Sequence, residues 1–265
     1  MLGMHLLSSY GTCVMCDTHL SFANMHAVLA IFGFAGILIM GVAFQVIPMF
    51  YVTPAFHENY QKYLVLAVVF TLLLWAVLSF VAVDLAWIAK TVLAALFAYF
   101  GYLIIEKMNQ RKRPIADITV YYWRLSGAMA ILGSLVWLSS GFIEEEVLSF
   151  VGVIIGGGFL MSVMSGMLYK IIPFLVWFHL NGMGYMGIPS MGEMVHKKMA
   201  RVQFVLFVAT LVLFASAFWL PVMMKLGAVT LFVSMVLLEI NLVLAYKNYG
   251  ETRKRKPDFD MSGMQ

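Results

Sequence analysis

Phe34 to Pro48 reads FAGILIMGVAFQVIP, and Phe159 to Pro173, 125 residues later, reads FLMSVMSGMLYKIIP. Each sets Phe, Gly and Pro seven residues apart inside an apolar run, with an aromatic (Phe44, Tyr169) and a polar residue (Gln45, Lys170) just ahead of the Pro. Two further apolar runs and a basic stop follow each copy, RKRP at Arg111 to Pro114 and RKRKP at Arg253 to Pro257. Self-similarity at a fixed offset marks internal duplication, a common way to build a membrane domain.

Composition places the chain in a bilayer. Of its 265 residues 63% are apolar and 11% charged, against roughly 25% charged in a soluble domain. A spanning helix takes about 20 apolar residues, and seven such runs are present, at 22–50, 63–83, 86–105, 118–142, 148–178, 202–220 and 223–246. Lipid gives the backbone no hydrogen-bond partners, so these runs are helices. The fold class is therefore all-α, a polytopic transmembrane bundle of seven helices in two parallel four-helix-type repeats, the first of them incomplete. The expected organisation is an exported segment at 1–21, a first repeat of three helices at 22–114, a second of four at 115–257 and a cytoplasmic tail at 258–265. The first repeat lacks one helix, which suggests a chain shortened at its N-terminus relative to its kin.

Lys and Arg cluster on one side of this topology: Lys107, Arg111, Lys112 and Arg113 with Lys62, Lys197, Lys198, Arg201, Lys247 and the tail. Only Lys90 and Lys225 fall on the other. By the positive-inside rule the N-terminus is outside and the C-terminus cytoplasmic, in a bacterial inner membrane. The basic stops then meet anionic lipid rather than nucleic acid, and the lipid bilayer is the first expected partner.

Several residues carry possible chemistry. Cys13 and Cys16 form C-x-x-C, with His19 three residues on and His26 seven beyond that. In an exported segment the thiols fit either a disulfide or, with the imidazoles, a copper or zinc site. Eight of the 21 methionines fall between Met161 and Met199, and Met161, Met164 and Met167 recur at three-residue spacing. Thioethers suit Cu(I), and they equally fill irregular helix contacts. Lys170 and Glu239 lie at similar depth in the fifth and seventh helices, an expected intramembrane charge pair that either bridges the helices or lines a proton or ion path. Pro48 and Pro173 are expected to end or kink their helices. The loop NGMGYMGIPSMGEM, from Asn181 to Met194, reads as apolar and mobile, able to dock a partner or re-enter the membrane edge.

The stretch HAVLAIFGFAGILIMGVAFQVIPMF at His26 to Phe50, with MLYKIIPFLVWFHL at Met167 to Leu180, resembles helices of bacterial relatives of the heme-copper oxidase large subunit. That subunit is itself built from four-helix arcs of like orientation. The resemblance implies a respiratory-chain setting, other membrane subunits as partners, and heme or copper as cofactor. An oxygen-reducing centre of that family takes six histidines at one depth, and here only His19 and His26 share a depth. If the first helix extends back to Asp17, the two lie on one face and can orient both imidazoles toward a common partner; at most a heme held by His26 with a ligand from a lost arc is implied. Three function classes follow: a heme- or copper-binding redox protein, a permease or copper-handling protein, and a non-catalytic scaffold or assembly subunit.

Overall fold

A computed structural model describes residues 16–113, 115–140 and 150–259, with side chains from Ser21 onward. The described residues form seven long helices joined by short segments: α1 (Ser21–Tyr51), α2 (Tyr60–Val81), α3 (Val83–Asn109), α4 (Ile118–Ser139), α5 (Gly152–Gly182), α6 (Lys197–Ser216) and α7 (Val222–Thr252). All but α4 are long and apolar enough to cross a membrane. Helix α4 has 22 residues, about 33 Å; Tyr121, Tyr122, Trp123 and Arg124 in its first turns make it less apolar. The protein is thus an integral membrane protein with a multi-pass helical bundle.

Two compact units share this chain. The first holds α1, α2, α3 and α4 from Gly127 onward; the second holds α4 as far as Ser126 together with α5, α6 and α7. In the first unit an aromatic core joins α1 to α3 and α4, with Phe32 4.9 Å from Phe97 and 4.6 Å from Trp137 between ring centroids. Helices α3 and α4 meet backbone to backbone, since a methyl on Gly101 would lie 2.6 Å from the Gly127 carbonyl oxygen. In the second unit Tyr122, Tyr169, Ala200, Phe207 and Leu238 form the core. Gly166 lets α5 approach α4 so closely that a methyl there would lie 2.8 Å from the Tyr122 Cβ. Small residues at such crossings are how helices associate in lipid, where burial between helices brings little hydrophobic gain.

The duplicated stretches agree in backbone detail. Helix α1 is π-helical over Leu29–Gly36 and α5 over Gly152–Met161, so both π segments end at positions related by the same offset of 125 residues. Pro48 and Pro173 then fall inside the α-helix that follows. Neither proline ends its helix, so of the two expectations from sequence, an end or a kink, the first is corrected. Helix α1 runs on to Tyr51 and stops where Val52 turns left-handed at φ 53°, and α5 continues nine residues beyond Pro173. A proline removes one intrahelical bond, and both helices nonetheless continue past it.

Candidate functional site

Polar side chains from all four helices of the second unit meet inside it. Gln203 on α6 is the hub. The Tyr122 hydroxyl on α4 donates to its Oε1, and its Nε2 donates to Ser234 Oγ on α7 at 2.9 Å. Ser234 Oγ in turn donates to the Gln203 carbonyl oxygen at 3.1 Å. All three side chains are buried. A second knot lies nearer the basic end. The Asn241 carboxamide on α7 accepts from the His196 backbone N–H at 2.8 Å and donates to the His196 carbonyl at 3.3 Å. His196 Nδ1 accepts from Met199 N–H and so caps α6. The Tyr169 hydroxyl on α5 is buried beside Asn241. Among the described residues the Tyr169 hydroxyl makes no hydrogen bond of good geometry, and the Asn241 amide beside it is the polar group that acts on it. Tyr122 and Tyr169 connect the two knots, their ring centroids 6.4 Å apart.

At the start of α4 the seam reaches charge. Lys170 Nζ lies 2.7 Å from Asp117 Oδ2, with Lys170 11% and Asp117 48% exposed. Asp117 Oδ1 accepts from Thr119 and Val120 N–H and from the Thr119 hydroxyl, which caps α4. Burial pushes this carboxyl up, but the Lys170 ammonium and the hydrogen bonds from Lys170, Thr119 and Val120 outweigh it and hold Asp117 below the usual carboxylate range.

The expected pair of Lys170 with Glu239 is therefore corrected. Depth matching was sound, but facing was not. Ser234, Leu238, Asn241 and Ala245 are the buried face of α7, while Glu239, one residue past Leu238 and about 100° around the helix, is exposed. Gln45, the counterpart of Lys170 in the first copy, is exposed as well. Asp117, Tyr122, Gln203 and Ser234 escaped notice in the sequence. The available signal was Gln203, a lone amide inside an apolar run, since such a group in lipid is expensive unless paired.

The three methionines of the expected site have different surroundings. Met161 packs against the second unit's core, Met164 is 61% exposed and Met167 is buried. Three-residue spacing rotates each side chain about 60° from the last, so the thioethers face three surroundings rather than one ion. Cys13 lies outside the described residues, and the side chains of Cys16 and His19 lie outside them too. His26, His57, His179 and His196 are all exposed. Among the described residues no three His, Cys, Asp or Glu side chains converge to hold a metal ion. The Asn181 to Met194 loop finds its partner in the chain's own tail: Met186 N–H donates to Asp258 Oδ2 at 2.7 Å, Asp258 and Phe259 N–H to the Gly184 carbonyl, and the Tyr185 hydroxyl to the Arg255 carbonyl.

No protein-family model, no curated protein and no solved structure matches this chain.

Proposed function

We propose that this chain is a scaffold or assembly subunit of a membrane complex, one that works by holding a stable polar-stitched bundle and presenting its lateral faces to other membrane proteins. What supports this reading is the use made of the seam: Lys170, Gln203, Ser234 and Asn241 each bond to another helix or to its end. Groups that line a route face a common space. Here they face one another, and interhelical hydrogen bonds of this kind serve helix association.

The test is purification in mild detergent with three readouts. The chain should migrate with companion proteins well above its own 29.7 kDa, and Lys170→Met should lower its heat stability. A visible spectrum and metal analysis supply the third. A stoichiometric heme, with a Soret band lost in His26→Ala, would replace this reading with a redox role centred on His26 and His19. Copper lost on removing Cys13, Cys16 or Met161 would replace it with copper handling.

A further inference from the structure

The ends of α5 and α7 reach beyond the starts of α4 and α6. Helices α4 and α6 begin at Ile118 and Lys197, beside Lys170 and Asn241 through the bonds described above. From those levels α5 continues to Gly182 and α7 to Thr252, about 18 and 16 Å further. They run parallel, with Val176 and Leu180 packed in one cluster with Ala245. Between them lies an open groove of about 320 Å³ lined by Ile172, Leu175, Val176, His179, Tyr246 and Tyr249.

Both walls follow from helical spacing. Ile172, Leu175, Val176 and His179 fall at i, i+3, i+4 and i+7 of α5, one continuous face. Tyr246, Tyr249 and Arg253 fall at i, i+3 and i+7 of α7, so the tyrosine wall ends in a cation, and the Arg253 guanidinium sits 5.6 Å over the Tyr249 ring. Lys247 is exposed beside Tyr246, and Lys254 follows Arg253. The groove is thus mostly apolar, with His179 at the end of its α5 wall and Arg253 one turn past Tyr249 on the other side. It starts just past the level of Lys170 and extends about 10 Å toward the basic end, from the acyl edge into the headgroup layer, about 5–8 Å thick on that side of a bilayer. Phe178 and Tyr246 are exposed on either wall, and aromatic rings of this kind gather at that depth.

We propose that this groove binds one anionic phospholipid, its acyl chain along Ile172, Leu175 and Val176 and its phosphate against Arg253 and His179. The charge argues for the anionic class, because Arg pairs with phosphate through two parallel N–H donors and a juxtamembrane basic cluster attracts anionic lipid. A volume near 320 Å³ sits at the small end of ligand sites and takes the headgroup-proximal part of one acyl chain.

Native mass spectrometry and thermal melts test this on the full chain, reconstituted in nanodiscs of phosphatidylcholine with or without 30% phosphatidylglycerol. One phosphatidylglycerol should stay with each chain in mild detergent, and added phosphatidylglycerol should raise the melting temperature in a saturable way. Arg253→Gln, and Leu175→Trp as a separate filling variant, should each weaken retention about tenfold; Lys225→Gln, at the opposite end, should not change it. Equal retention of phosphatidylcholine, or phosphatidylglycerol retention unchanged in both groove variants, would overturn the proposal. So would a monomer–dimer shift in Leu175→Trp that phosphatidylglycerol does not affect, since a second copy would then be the occupant.

Discussion

Asp117 does two jobs with its two oxygens, capping α4 with one and holding Lys170 with the other. Its carboxyl is held below the ordinary value of 3.8 in the folded state, so its contribution to stability is full above that value and disappears as pH falls through the lower folded one. Because Asp117 is half exposed, the pair itself is screened and contributes less than about 1 kcal/mol. Melting temperature in detergent should therefore stay level from pH 6 to about 4.5 and fall below pH 4, and Asp117→Asn should flatten part of that fall. An identical acid slope in wild type and Asp117→Asn would remove the pair from the account. Gln203 is the costlier residue, since Gln203→Leu strands the Tyr122 hydroxyl inside the bundle and takes one of two partners from Ser234, which keeps its bond to the backbone carbonyl of residue 203. Leaving buried polar groups unpaired costs about 1–3 kcal/mol. The variant should melt lower, and adding Tyr122→Phe should recover part of the loss. At this scale the sequence was half legible: an intramembrane lysine demands a partner, but the partner came from a loop acid that hydropathy does not single out, while Glu239 offered the right depth on the wrong face.

The helices themselves were the most legible part, because 20-residue apolar runs in lipid leave the backbone no alternative to a helix. Their ends and irregularities were not. The π segments in α1 and α5 add a residue to a turn without changing composition, and nothing in FAGILIMG or GGGFLMS announces that. Glycines separate more cleanly once the packing is known. Gly127 faces the Gly101 carbonyl oxygen at 2.8 Å from where its Cβ would stand, whereas a Cβ on Gly41 would meet nothing within 4 Å. Gly127→Ala must push α3 and α4 apart along rigid backbone and should destabilise by about 1–3 kcal/mol, the usual range for overpacking. Gly41→Ala clashes with nothing and gains up to about 1 kcal/mol of helix propensity. Unfolding of the two variants in detergent should shift in opposite directions. Equal shifts would mean that α3 and α4 are less tightly crossed than their glycines indicate.

For the molecule as a whole, the side on which each basic cluster lies depends on α4. The clusters at Arg111 to Arg113 and at Arg253 to Lys256 are separated by α4, α5, α6 and α7, so they share a side only if all four helices cross. Helix α4 is the least apolar of them, and hydropathy alone does not decide its path. Packing in the first unit does. Gly101 meets Gly127, and Lys90 Nζ near the start of α3 donates to Ser140 Oγ just past the end of α4 at 3.0 Å. Helix α4 therefore runs antiparallel along α3 from the crossing to its far end, and from Gly127 it continues nine residues the other way to Ile118. Arg124 lies about 9 Å from that start, within reach of the interface for a long side chain that extends toward water. Single cysteines placed at Lys112, Lys225 and Lys254, in a chain with Cys13 and Cys16 changed to Ser, make this measurable with a membrane-impermeant maleimide on sealed vesicles of one orientation. Lys112→Cys and Lys254→Cys should react together, and Lys225→Cys only once the vesicles are opened or inverted. Labelling of Lys112→Cys and Lys254→Cys from opposite sides would mean that α4 does not cross, and the second basic cluster would then owe its side to a three-helix unit.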